Sequence, residues 1–235
     1  MLLGKVVKSN SHCDYVVDVA DEFASPTPPN PDEFGFGSFV KLEGTNGRHW
    51  AVGVVYNSQL VNPMFLNNGP RLSSEPDPMF TPDLISETRT LLGVVLIGWM
   101  VNQSAEVGRG ASPQSGRRLD QSALSQQGGV HDRPRRVESS PYGIHAIPRV
   151  VVPVNTPAHT MSEAEVHRFH LNEADQPQFS YYSHLLHCGG SFSGLLIQQV
   201  LQELTDSGLF AGAGQRALQM LYRESAWKNT MMAMR

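Results

Sequence analysis

Apolar residues in the first hundred positions come in short runs separated by turn residues, the pattern of strands rather than helices. Leu2–Lys8 and Tyr15–Ala20 are the first two runs, followed by a loop with four prolines between Ser25 and Glu33. Gly37–Glu43 resumes an extended pattern. Thr45-Asn46-Gly47 supplies a turn whose Asn-Gly step tolerates positive φ, and His49–Asn57 is the return strand, so Phe39–Tyr56 reads as a hairpin. Asn62 to Pro82 carries five prolines and reads as a loop. Leu91–Val101 is an apolar run of eleven residues, the length of a buried strand and too short to span a membrane. Strands in this number fit a small closed barrel, which leaves no exposed sheet edge.

The pattern changes twice more. Residues 102–141 hold six arginines, four acids and no aromatic side chain, too little apolar surface to offset the entropy of ordering them. They read as a disordered Ser/Gln/Gly/Arg-rich insertion. Ile144–Val154 then returns to an extended apolar run, which Pro148 and Pro153 confine to an edge or to bulged pairing. Ser162 and Glu165 have the spacing of a capping box and open a short helix. Gln176–Leu186 fits helix and strand equally. Ser193–Thr205 is a helix by the spacing of Leu196, Val200, Leu201 and Leu204, stopped by Ser207-Gly208, and Gln215–Trp227 is a second. Residues from Thr230 onward are expected to fray. The fold class is therefore α+β: a small six-stranded β-barrel from residues 1–101 and 142–160, then a short C-terminal helical region over 161–235.

Composition narrows the function classes. A net charge of −4 argues against wholesale electrostatic binding of nucleic acid or an anionic membrane. Two cysteines, Cys13 and Cys188, make no disulfide framework and suit a reducing, cytoplasmic setting. The absence of a long apolar segment with a small-residue cleavage site gives no signal peptide to expect.

The order of the strand motifs carries a resemblance. "LGKVV" at Leu3–Val7 is followed by "YVVDV", "GFGSFVKLE", "WAVGVV" and "LLGVVLIG". This series resembles the HAS barrel, the small β-barrel that precedes the motor domain of HerA-type hexameric ATPases and is related to the N-terminal crown of rotary ATP synthase catalytic subunits. "IPRVVVPVNTPAH" followed by "MSEAEV" resembles the segment that closes that barrel. The resemblance covers about half the chain. It implies ring assembly and partner docking, with a HerA-like ATPase or a NurA-type nuclease as the partner. It also implies a phosphate-binding loop after the barrel.

The place for that loop is "HCGGSFSGLL". Gly189, Gly190 and Gly194 have its glycines, but Leu195 stands where the lysine belongs and Leu196 where the magnesium-binding hydroxyl belongs. The segment is either a vestigial phosphate loop or an ordinary turn before a helix. Both readings remove ATP hydrolysis by this chain. His184, His187 and Cys188 form an HxxHC cluster that could contribute to a zinc site, with His159, His167 and His170 nearby in sequence, yet paired CxxC spacing is absent. Cys188 at a helix start lacks an evident orienting partner for nucleophilic chemistry. Phe179, Tyr181 and Tyr182 could stack bases, but no basic groove accompanies them.

The expectation is a non-enzymatic interaction or oligomerisation module without cofactor, belonging to a HerA-like assembly. Its contact surface is placed on the apolar stripes of the two C-terminal helices: Leu196, Val200, Leu204, Leu218 and Tyr222. The alternative is a nucleotide- or metal-binding enzyme subunit with its site at the His184–Leu196 turn.

Overall fold

The computed structural model describes residues 1–21, 25–43, 49–61, 89–101, 141–149, 151–188 and 192–233. The expected turn at Thr45-Asn46-Gly47, the loop from Asn62 to Pro82 and the insertion over 102–140 lie outside them. The chain is α+β: a closed antiparallel barrel of six strands, with helices toward the C-terminus. The strands are β1 (Leu2–Ser9), β2 (Asp14–Val19), β3 (Phe39–Glu43), β4 (His49–Val61), β5 (Arg89–Val101), β6 (Tyr142–Ile144) and β7 (Pro157–Thr160). Pairing runs β1–β2–β5–β4–β3–β7 and back to β1, which closes the ring. The short β6 lies outside it, paired to the end of β5.

Alternation along the strands sorts side chains into two groups. Leu3, Val6, Tyr15, Val17, Val40, Leu42, Leu92, Val94 and Leu96 point inward and fill the barrel. Phe39, Val52, Val54, Val95 and Ile97 point outward, yet they too are buried, because helices cover this wall. The wall of β3, β4 and β5 is thus apolar on both faces. That is why Leu91–Val101 reads as an unbroken apolar run instead of an alternating one.

The sixth stave is not the proline-punctuated run Ile144–Val154. Only Tyr142–Ile144 of that region pairs, and the chain then runs irregularly past Pro148 and Pro153. Pro157 opens β7, the first strand position where a missing N–H is tolerated. Ahead of it, Asn155 takes a left-handed φ of 66° and donates its N–H to the Val6 carbonyl at 2.7 Å.

Four helices follow: α1 (Glu163–Phe169), α2 (Tyr182–Cys188), α3 (Ser193–Asp206) and α4 (Ala213–Ala233). The capping box at α1 forms: the Ser162 N–H donates to Glu165 Oε2 at 2.9 Å, and the Glu165 N–H donates to Ser162 Oγ at 3.4 Å. The same Glu165 carboxylate takes a hydrogen bond from Lys41 Nζ at 2.8 Å, which fastens α1 to β3. The ambiguous stretch resolves into a bridge between Leu171 and Pro177 and then the short helix α2. Helix α3 ends at Ser207, with Gly208 at φ 66°. Helix α4 is longer than the sequence pattern predicts and continues through the positions expected to fray, as far as Ala233.

Two glycines let β5, β6 and α1 meet. A Cβ at Gly98 would fall on the Ile144 carbonyl, and one at Gly143 on the Phe169 carbonyl. Gly143→Ala is expected to lower unfolding stability by about 2–4 kcal/mol through forced displacement of backbone. Gly35→Ala, where the added carbon meets nothing closer than 3.9 Å, is expected to stay within about 0.5 kcal/mol. Urea titration of the two variants checks this, and equal midpoints would contradict the close approach.

Candidate functional site

The residues expected to form a contact surface are placed elsewhere by the structure. Leu196, Val200, Leu204 and Leu218 are buried in the chain's own core, against Phe39, Val95 and Ile97 of the barrel wall. Tyr222 is half-buried beside them, and Gln198 Nε2 reaches its hydroxyl at 3.5 Å. The reason is physical. The outer face of the wall is itself apolar, so the strongest apolar stripe of each helix is drawn onto it. What remains exposed is a weaker pattern: Met220, Trp227 and Met231 on the outward side of α4, at 72%, 64% and 50% exposure, with Phe192 and Leu195 at the start of α3. Among the described residues, these five are the exposed large apolar side chains of α3, its cap and α4.

Of the suggested phosphate loop, Gly189 and Gly190 lie outside the described residues. Gly194 sits in the first turn of α3, where a side chain would strike Asn229 of α4. Asn229 Nδ2 donates to the Gly194 carbonyl at 3.1 Å, so helix packing accounts for this glycine. At the lysine position Leu195 is exposed, and at the hydroxyl position Leu196 is fully buried.

The suggested metal ligands do not converge either. His184 Nε2 donates to the Leu96 carbonyl at 3.0 Å, and His187 Nδ1 to the Ser183 carbonyl at 2.6 Å. The Cys188 side chain is outside the description. Among the described residues, no three His, Cys, Asp or Glu side chains gather closely enough to hold a metal ion. His167 lies against Phe210 with ring centroids 5.2 Å apart, whereas His170 turns inward. Phe179 and Tyr181 pack into the helical core, so neither offers a face for stacking bases.

The polar feature that the sequence pattern passes over lies where α1 and α2 meet the barrel. His170, fully buried at the end of α1, donates from Nδ1 to the Val166 carbonyl at 2.7 Å. Its Nε2 then accepts the Tyr181 hydroxyl at 2.8 Å. His145, just after β6, donates from Nε2 to the Phe169 carbonyl at 3.0 Å and stands 5.6 Å from the His170 ring and 4.8 Å from Tyr181. Its Nδ1 is buried with no hydrogen-bond partner. Burial drives all three groups to their neutral forms. It lowers His145 to about 4 and, with the adjacent His145 as a second cause, His170 to about 3, while the Tyr181 phenol rises well above its usual range. The one sequence signal for this cluster is that His170 falls four residues after Val166, on the buried face of α1.

Beside the cluster is an open recess of about 440 Å³ between the chain after β6 and helix α2. His145, Ile147, Tyr181, Ser183, His184 and His187 line it.

The cluster sets the acid side of the stability profile. Each histidine binds its proton less well folded than unfolded, so unfolding takes up protons below about pH 6.5. The contribution is intact above that value and is lost as pH falls towards the folded-state values of about 4 and about 3. The expected slope is up to about 1.4 kcal/mol per pH unit for the fully buried His170 and less for the partly exposed His145. Tyr181→Phe at neutral pH leaves His170 Nε2 without its donor and is expected to cost about 1–3 kcal/mol. Denaturant midpoints between pH 7 and pH 5 check both, and a flat profile in the wild-type chain would exclude the assignment.

Comparison with known proteins adds one finding. No curated protein matches the sequence. The model of the family described as "Domain of unknown function (DUF8166)" matches residues 1–118 and 131–235, nearly the whole chain, and the protein belongs to that family.

Proposed function

We propose that the chain is a non-enzymatic protein-interaction or oligomerisation module of a HerA-like, ATPase-associated assembly. The observation that carries this reading is the outward face of α4. Met220, Trp227 and Met231 are held in water on a helix whose other face is anchored in the core. Large apolar side chains grouped on one exposed face are a common mark of a contact surface, and tryptophan is over-represented among residues that dominate binding energy.

The closed barrel supports the same reading, because it fits the HAS-like order of strand motifs read from the sequence. In this reading the partner is a HerA-type motor subunit, a NurA-type nuclease or further copies of the chain. The setting is cytoplasmic, and no helix among the described residues is long and apolar enough to cross a membrane. The module has no catalytic residue of its own. Leu195 and Leu196, where a phosphate loop needs a cation and a hydroxyl, support that assignment.

Light scattering after gel filtration, with and without a HerA-type subunit, tests the proposal. Either self-association or a stable complex is expected, weakened at least about tenfold by Met220→Glu combined with Trp227→Glu. Both sites are exposed, so the variant is expected to keep its denaturant midpoint. A strictly monomeric chain that binds no such subunit, or a complex indifferent to the double variant, would overturn it.

A further inference from the structure

The recess beside α2 lies apart from the exposed face of α4, and its wall carries His184 and His187 of the expected HxxHC cluster. Its volume of about 440 Å³ lies within the range of small-molecule sites, roughly 300–1,000 Å³. Its walls combine two chemistries. Ile97, Ala146 and Ile147 are apolar, whereas His145, Tyr181 and His187 are flat rings with polar edges.

Those edges are fixed from behind by backbone. The Phe169 carbonyl takes the Nε2–H of His145, and the Ser183 carbonyl takes the Nδ1–H of His187. Each bond sets the tautomer, leaving a lone pair on His145 Nδ1 and another on His187 Nε2. The first of these is buried and has no donor. A buried acceptor left unpaired destabilises the fold, and a ligand donor would recover that loss. The atom is shielded from water, so a ligand donor meets it only once a neighbouring side chain of the wall has moved, with the His145 ring still held by the Phe169 carbonyl. Ile147, half-exposed on the same wall, has the freedom to make room. No Lys, Arg, Asp or Glu is among the described residues that line the recess, so it holds no fixed counter-charge for an ionic ligand.

We infer that this recess binds a small, uncharged aromatic molecule bearing an N–H or O–H group, which donates to His145 Nδ1. The apolar wall takes the ring, and the buried acceptor on His145 selects its orientation. The site stands independently of the interaction proposed for α4.

NMR of the histidine rings in the full chain tests the inference with three probes: indole, N-methylindole and benzoate. Indole is expected to shift the His145 and His187 signals in a saturable way. N-methylindole, which has the ring without the donor, is expected to bind about tenfold more weakly. Benzoate, aromatic but charged, is expected to leave the signals unmoved. Ile147→Trp, a change at a half-exposed position, fills the recess and is expected to abolish the indole response without altering the denaturant midpoint. No response to indole, an equal response to N-methylindole, or indole binding that survives Ile147→Trp would each overturn the inference.

Discussion

One sheet wall buried on both faces organises this molecule. Residues of β4 and β5 alternate between the barrel interior and an outer layer, and both destinations are dry. Val94 and Leu96 fill the barrel, while Val95 and Ile97 meet the helices. A barrel of six short strands encloses little volume, so its interior alone yields a limited hydrophobic gain. The outer layer adds a second core that uses the same strands. It also fixes where the helices go, since Leu196, Val200 and Leu218 find their complement on that wall.

The junction between barrel and helices is held by more than apolar contact. Lys41 of β3 reaches Glu165 of α1, and the carboxylate of Glu165 is also part of the cap that starts the helix. At the other end of α1, His170 is locked between the Val166 carbonyl and the Tyr181 hydroxyl. Gln178 Nε2 donates to the Gly143 carbonyl at 2.7 Å and the Gly143 N–H donates to the Leu171 carbonyl at 3.1 Å, which ties β6 to the segment after α1. Short polar links of this kind make the register of helix against barrel specific, a property that apolar packing by itself defines loosely. The barrel interior, by contrast, is filled mostly by aliphatic side chains, with the Tyr15 phenol among them.

Strand periodicity made most of the barrel legible, and the capping spacing at Ser162 and Glu165 located the start of α1 to the residue. Periodicity did not single out the last stave, although the resemblance had placed the closing segment over a stretch that includes Pro157–His159. Pro157–Thr160 is four residues long and has no run of its own, whereas Ile144–Val154 looks more strand-like and pairs, among its described residues, only at Ile144. Local pattern registers apolar content, but here the prolines and the ring geometry decide which segment can fit between β1 and β3. The helices show the opposite error. Their periodicity was correct, but the stripe it marked is the buried one, and a sequence does not say whether an apolar face meets its own chain or another. Trp227 and Met220 stand seven positions apart, with Arg223 and Glu224 between them on the chain, and so leave a weak trace. The histidine cluster was invisible for a third reason. Its members come from positions 145, 170 and 181 and are brought together only by the fold.

The placement of β7 has a consequence for the order of events during synthesis. The ring needs Pro157–Thr160 between β1 and β3, so a ribosome that has released the first five staves has released an open sheet. Its exposed edges lie on β1 and β3, and its outer wall is still bare because α3 and α4 follow β7 along the chain. The nascent chain thus passes through a stage with two unpaired edges and an uncovered apolar face, the circumstances in which chaperones are most useful. Closure by β7 and covering by the helices then follow in close succession along the chain.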